Sequence, residues 1–205
     1  MANEIRIDDL RTPVLNDMQR MGLDYGETVH TELSVDAVCA AAVTQTGLDD
    51  FGPDDFRERL ELQLDEMNAD PERTGLGRMM MFGDCVRYAS NRLRIRELLK
   101  QHPEILDIPI EKPVIVIGLP RSGTTNLVNL LAADSRFRSM PLWESYEPVP
   151  DPREETSADG VDPRWTRCQG QWEAINAAEV AAGEVKGKPR VKAVDHSILL
   201  RLGRV

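Results

Sequence analysis

Residues 114–127 read VIVIGLPRSGTTNL, and this stretch decides the fold class. Its first four residues, Val114–Ile117, are all β-branched and predict a buried strand of a parallel sheet. A short turn rich in glycine follows, and Thr124 then opens a helix with apolar periodicity. In this order the backbone N–H groups of the turn and the dipole of the helix create an anion cradle. The stretch therefore predicts an α/β fold that binds phosphate or sulfate.

The loop has the spacing of a phosphate-binding loop but carries its cation at a different position. Gly118 and Gly123 satisfy G-x-x-x-x-G, yet Thr124 and Thr125 stand where that motif continues with Lys and Ser or Thr. Without the lysine that reaches the β- and γ-phosphates, hydrolysis of a nucleoside triphosphate is disfavoured. The cation is Arg121, inside the loop, which suits a single sulfuryl or phosphoryl group.

The segment from Pro120 to Thr125, placed after a hydrophobic strand, resembles the 5′-phosphosulfate loop of the sulfotransferases. Cytosolic and Golgi members usually carry Lys at the position of Arg121. Arginine there, together with a long helical N-terminal extension, resembles the bacterial sulfotransferase-like branch. The resemblance covers about residues 30–178 and includes five short flanking matches: Arg92-Leu93-Arg94, His102-Pro103-Glu104-Ile105, Asp107-Ile108-Pro109-Ile110, Leu142-Trp143-Glu144 and Pro148-Val149-Pro150.

The resemblance implies a P-loop-like parallel sheet core and a defined chemistry. Enzymes of this family move a sulfuryl group from 3′-phosphoadenosine 5′-phosphosulfate (PAPS) to a hydroxyl or amine, without a metal. The acceptor is a small molecule, a glycan or a lipid. Arg121 is the expected catalytic residue, because charge develops on the sulfuryl oxygens during transfer. The expected donor-binding residues are Arg121, Ser122, Gly123, Thr124, Thr125 and Asn126.

The general base that takes the acceptor proton is left open by the sequence. Histidine is the usual base near neutral pH. His30, His102 and His196 are candidates, and Glu144 is a fourth.

Composition excludes several other classes of protein. The 205 residues carry a formal net charge of −10, which disfavours nucleic acid as a partner. Cys39, Cys85 and Cys168 have neither disulfide-framework nor zinc-site spacing and are expected to be reduced and buried. No segment approaches the ~18 continuous apolar residues of a membrane span, and no signal peptide is recognised. A cytoplasmic enzyme is expected, with a homo-oligomer left open.

The sequence divides into four expected regions. A polar lead-in occupies residues 1–33 and a helical region residues 34–110. The partial nucleotide-binding α/β unit occupies residues 111–183, and residues 184–205 form a basic tail. Within the helical region, helices are predicted from Ser34 to Gly47, from Gly52 to Asp70 and from about Leu76 to Lys100, and a later helix starts at Asp162-Pro163.

Only one convincing strand is found, and the pair of residues that holds the 3′-phosphate in the family is not recognised. We therefore expect the N-terminal half of a sulfotransferase, truncated and of weak or no activity. Two alternatives stay open at this stage. One is a P-loop kinase-like enzyme acting on nucleoside phosphates, and the other is a non-catalytic remnant that binds an anion.

Overall fold

The computed structural model describes residues 14–119, 122–151, 153–154 and 160–181. These residues form seven α-helices and one 3₁₀ turn, and no strand is assigned among them. The helices are α1 (Asp17–Thr28), α2 (Val35–Thr46), α3 (Asp55–Ala69), α4 (Gly75–Gln101), α5 (Thr124–Ala132), α6 (Leu142–Tyr146) and α7 (Pro163–Ala181). The 3₁₀ turn spans Pro103–Asp107 and follows α4 directly. None of the described helices is long and apolar enough to cross a bilayer.

The helices predicted between residues 34 and 101 are confirmed, and their ends have the expected local causes. Ser34 caps α2, because its side chain accepts a hydrogen bond from the N–H of Ala37 (3.1 Å). Gly47 ends α2 in the left-handed conformation (φ 71°), as expected of a glycine C-cap. Helix α3 begins two residues after Pro53 and ends before Asp70.

The core lies where α2 and α3 pack against α4. Val38 and Ala42 of α2, Leu64 of α3 and Leu93 of α4 are almost completely buried. Full burial of a leucine or valine side chain stabilises a fold by about 1.5–3 kcal/mol, so these few residues hold the helices together. All three cysteines are free and buried, as expected, and burial raises the pKa of each thiol.

Helix α1 was not predicted, because its residues are polar and lie within the expected lead-in. Asn16 and Gln19 form a reciprocal capping box at its start. Near its end, Gly26 lies directly against Gly75, the first residue of α4, and a Cβ on either glycine would collide with the other segment's backbone. Glu27 Oε1 accepts a hydrogen bond from the Gly75 N–H (2.9 Å). The absence of a side chain at both Gly26 and Gly75 therefore allows the close contact between α1 and α4.

The strand predicted at Val114–Ile117 is not formed within the described part of the chain. The segment has no regular structure, and its side chains are exposed, with 74% exposure for Ile115 and 88% for Ile117. A strand is defined by hydrogen bonds to a neighbour, and no described segment pairs with this one. Helix α5 is confirmed at the predicted position, but Leu127 and Leu130 remain exposed and are not docked on a sheet. The parallel sheet therefore stays a prediction.

Helix α6 attaches to α4, and α7 attaches to α6, through polar contacts. Asn91 Nδ2 donates to the carbonyl of Tyr146 at the end of α6 (2.8 Å). Arg164 is only 9% exposed; its guanidinium lies 4.7 Å from the Trp143 ring centroid and donates to the carbonyl of Glu147 (2.9 Å). A buried guanidinium needs such partners, since burial without them is costly. Helix α7 starts at Asp162-Pro163, as predicted.

We expect the substitution Gly26→Ala to destabilise the fold by about 1–3 kcal/mol, the range for overpacking a close contact. The matched control is Gly83→Ala, because Gly83 lies inside α4 and a Cβ there would meet nothing within 4 Å. Gly83→Ala should be neutral or stabilise by up to about 1 kcal/mol, since alanine favours helix. Chemical denaturation followed by circular dichroism measures both, and equal behaviour of the two variants would contradict the close contact.

Candidate anion-binding site

The loop that follows the predicted strand closes on itself around Gly118. The N–H of Ser122 donates to the carbonyl of Leu119 (3.1 Å). A Cβ on Gly118 would lie 2.7 Å from Ser122 Oγ and 2.7 Å from Thr124 Cγ2. Any side chain at Gly118 would therefore push the two ends of the loop apart. Gly118 belongs to the G-x-x-x-x-G motif but was not among the expected site residues. Its spacing to Gly123 is the sequence signal that could have identified it as part of the site.

Helix α5 begins at this loop with its first turn open to an anion. Gly123 is the N-cap residue; it has φ 90° and makes no side-chain capping bond. The N–H of Leu127 donates to the Gly123 carbonyl (3.1 Å), which leaves the N–H groups of Thr124, Thr125 and Asn126 without acceptors among the described residues. Unpaired N–H groups at a helix start, with the positive end of the dipole, bind anions.

Five of the six expected donor-binding residues, Ser122 to Asn126, are contiguous at this helix start. Thr124 is half-buried and the other four are exposed, so their polar groups can reach a ligand. Arg121, the sixth and the expected catalytic residue, lies outside the described residues together with Pro120. Its role remains a prediction.

None of the described candidates for the general base is bonded to the loop. His30 is exposed. His102 Nδ1 lies 3.0 Å from Glu104 Oε1, and Glu144 accepts hydrogen bonds from Arg138 at 3.1 and 3.2 Å. His196 lies outside the described residues. The base is therefore still open.

The basic residues at the end of α4 mostly serve tertiary structure rather than an anion site. Arg92 donates to the carbonyls of Phe51 (2.7 Å) and Pro53 (2.8 Å), and so ties α4 to the start of α3. Lys100 pairs with Asp50 at 2.8 Å. A cluster of His, Cys, Asp or Glu side chains able to hold a metal is not found among the described residues.

Comparison with known proteins places this loop in a family. Residues 113–193 match the family described as Sulfotransferase family. Two solved structures are similar over most of the chain. The sulfotransferase STF1 from Mycobacterium tuberculosis is 32% identical over 72% of this chain with a TM-score of 0.61. The sulfotransferase STF9 from Mycobacterium avium is 31% identical over 80% of this chain with a TM-score of 0.63.

The chain belongs to the sulfotransferase family. The sulfotransferase match includes the whole loop and α5, and it reaches residue 193, farther than the expected limit near residue 178. The chain spans 41% of the length of STF1 and 40% of that of STF9. Both relatives support a P-loop-like α/β fold, although the sheet is not formed among the described residues. No match is found among proteins of curated function.

Two glycines with positive φ allow a matched test of the loop. A Cβ at Gly123 (φ 90°) or Gly160 (φ 79°) would meet nothing within 4 Å, so alanine adds only backbone strain at either position, about 1–2 kcal/mol. We expect Gly123→Ala to weaken the binding of adenosine 3′,5′-bisphosphate several-fold in calorimetry, because the strain is relieved by moving the loop. Gly160→Ala should lose similar stability but keep its affinity. Equal affinities in the two variants would exclude Gly123 from the site.

Proposed function

We propose that this chain binds PAPS through residues 118–126 and belongs to an enzyme that transfers its sulfuryl group to a hydroxyl or amine. The observation that carries the proposal is the closed loop at Gly118 followed by the open first turn of α5. Its three N–H groups that lack acceptors among the described residues suit the oxygens of one phosphate or sulfate. A small-molecule, glycan or lipid acceptor and the absence of a metal requirement belong to the same proposal.

The loop residues have distinct proposed roles in the transfer. The N–H groups of Thr124, Thr125 and Asn126 and the hydroxyls of Thr124 and Thr125 hold the 5′-phosphate. The Arg121 guanidinium binds the sulfuryl oxygens and the oxygen that bridges sulfur and phosphorus. During transfer that bridging S–O bond breaks, a new S–O or S–N bond forms to the acceptor, and the acceptor proton passes to a base. Catalysis by such a site is mainly positioning and stabilisation of charge on oxygen.

We expect Arg121→Ala to weaken the binding of adenosine 3′,5′-bisphosphate by about 1.5–3 kcal/mol, the range for charge-assisted hydrogen bonds. The control is Arg136→Ala, an exposed arginine that follows α5 and pairs with Asp134 at 2.6 Å. It removes the same charge without touching the loop. Calorimetry on both variants measures the difference, and an affinity for Arg121→Ala equal to that of Arg136→Ala would remove Arg121 from the site.

A comparison of ligands tests whether PAPS is the sulfuryl donor. Thermal-shift measurements with adenosine 3′,5′-bisphosphate, ATP and inorganic sulfate compare the three ligand classes, because a ligand stabilises the state that binds it. Stabilisation by the bisphosphate alone supports PAPS as the donor. Stabilisation by ATP alone would support the kinase-like alternative, and stabilisation by none of the three would support the non-catalytic one.

We expect this chain alone to be a weak sulfotransferase, slower than roughly 1 per second, a low value among enzymes. The recognised residues hold the 5′ end of PAPS but not its 3′-phosphate, and the exposed segment at Val114–Ile117 gives the loop little support. The assay is transfer of labelled sulfate from PAPS to a panel of phenols, sterols and glycans. Turnover at ordinary enzyme rates would refute the expectation of weak activity, while leaving the donor site intact.

A further inference from the structure

The four cations near the end of α4 do not have the same surroundings. Arg92 and Lys100 make the contacts described above, and Arg96 Nη2 lies 3.9 Å from Asp50. Among the described residues Arg94 makes no hydrogen bond and no ion pair at contact distance, and its charge acts on the Asp151 carboxylate from farther away. It is half-buried, and its position two residues after Arg92 turns it away from the loop that contacts Arg92.

Arg94 lines a cavity of about 480 Å³ beside α4. This volume lies within the usual range of small-molecule pockets. Apolar side chains form much of the wall: Leu48 follows α2, Leu98 lies one turn after Arg94, and Val149 and Pro150 come from the segment after α6.

Several other polar groups of this cavity already have partners. Asp151 receives two hydrogen bonds from the Arg153 side chain, at 2.9 and 2.6 Å. Gln101 donates to Glu97 (2.8 Å). Among the described side chains of the wall, Arg94 therefore offers unused donors toward an apolar space.

We propose that this cavity binds a small amphipathic carboxylate, with its carboxylate on Arg94 and its apolar body against Leu98 and Val149. A guanidinium matches a carboxylate with two parallel hydrogen bonds. The Glu97 carboxylate lies in the same wall and repels a dianion more strongly than a monoanion, so a monoanion is favoured over a phosphate. The proposal does not depend on PAPS binding or on the loop.

The test uses the full chain and sodium octanoate as the probe, in isothermal titration calorimetry. We expect saturable binding of one octanoate per chain, and binding of 1-octanol at least about tenfold weaker, as loss of one charge-assisted pair predicts. Octyl phosphate should also bind more weakly than octanoate, because its second charge adds repulsion from Glu97. The absence of saturable octanoate binding up to about 10 mM would overturn the proposal. Equal binding of octanoate and octanol would overturn it too, since adsorption on an exposed apolar surface gives that result.

Two variants locate the site. Arg94→Gln keeps a polar side chain but removes the guanidinium and its charge, and should weaken octanoate binding at least about tenfold. Its control is Arg59→Gln, which removes an exposed α3 arginine that pairs with Asp55 and should leave binding unchanged. A second variant changes the apolar wall. Val149 lies outside the helices, and Val149→Asn should weaken octanoate binding several-fold because it makes the wall polar. If Arg94→Gln does not fold by circular dichroism, Val149→Asn decides, and unchanged octanoate affinity in the folded variant overturns the proposal. Arg121→Ala should bind octanoate normally, which separates this site from the donor loop.

Discussion

Burial of one face of α4 against α2 is the interaction on which the described structure depends. Leu93, Ala89 and Cys85 follow one another along α4 at helical spacing and are nearly inaccessible, opposite Val38 and Ala42 of α2. Helix α4 has 27 residues and is long enough to receive α1 near its start and the 3₁₀ turn at its end. A shorter helix could not contact so many neighbours. The position of α4 therefore determines where the segment that leads to the candidate anion-binding loop begins.

The described residues of the loop are in contact although the strand before them is not formed. The Ser122 N–H donates to the Leu119 carbonyl, and Gly118 lies close to Ser122 and Thr124, so these contacts join near neighbours in the sequence. A parallel strand gains its hydrogen bonds only from other strands, which a chain supplies through crossover connections. The apolar side chains of Ile115 and Ile117 consequently face solvent. Such an exposed apolar segment favours association between chains.

The sequence predicted local features better than long-range ones. The caps at Ser34 and Gly47 and the start of α5 depend on a few adjacent residues, and all were predicted. Helix α1 was missed because its apolar periodicity is weak; its place depends on the contact of Gly26 with Gly75, which are distant in sequence. The loop residues Ser122 to Asn126 could be proposed as donor-binding residues because a phosphate-binding loop is a local motif, and that role stays a prediction. The different environments of Arg92 and Arg94 could not be predicted, since both are simply basic residues on one helix.

Anion binding by a chain with a net charge of −10 requires local positive charge that no carboxylate neutralises. Three arginines of the described chain share one pairing, in which an aspartate two residues earlier accepts bonds from both the backbone N–H and the guanidinium: Asp134 with Arg136, Asp151 with Arg153, and Asp162 with Arg164. These bonds lower the pKa of all three carboxyls, so the pairs remain ionised and mutually neutralised at neutral pH.

An arginine in such a pair has little capacity left for an external anion. Among the described residues, the groups that retain capacity include the backbone N–H groups at the start of α5, which have no side-chain cap, and the Arg94 guanidinium, since Asp151 of the same wall is paired with Arg153. In this acidic chain we therefore expect anions to bind where donors lack a carboxylate partner, rather than where basic residues are most numerous.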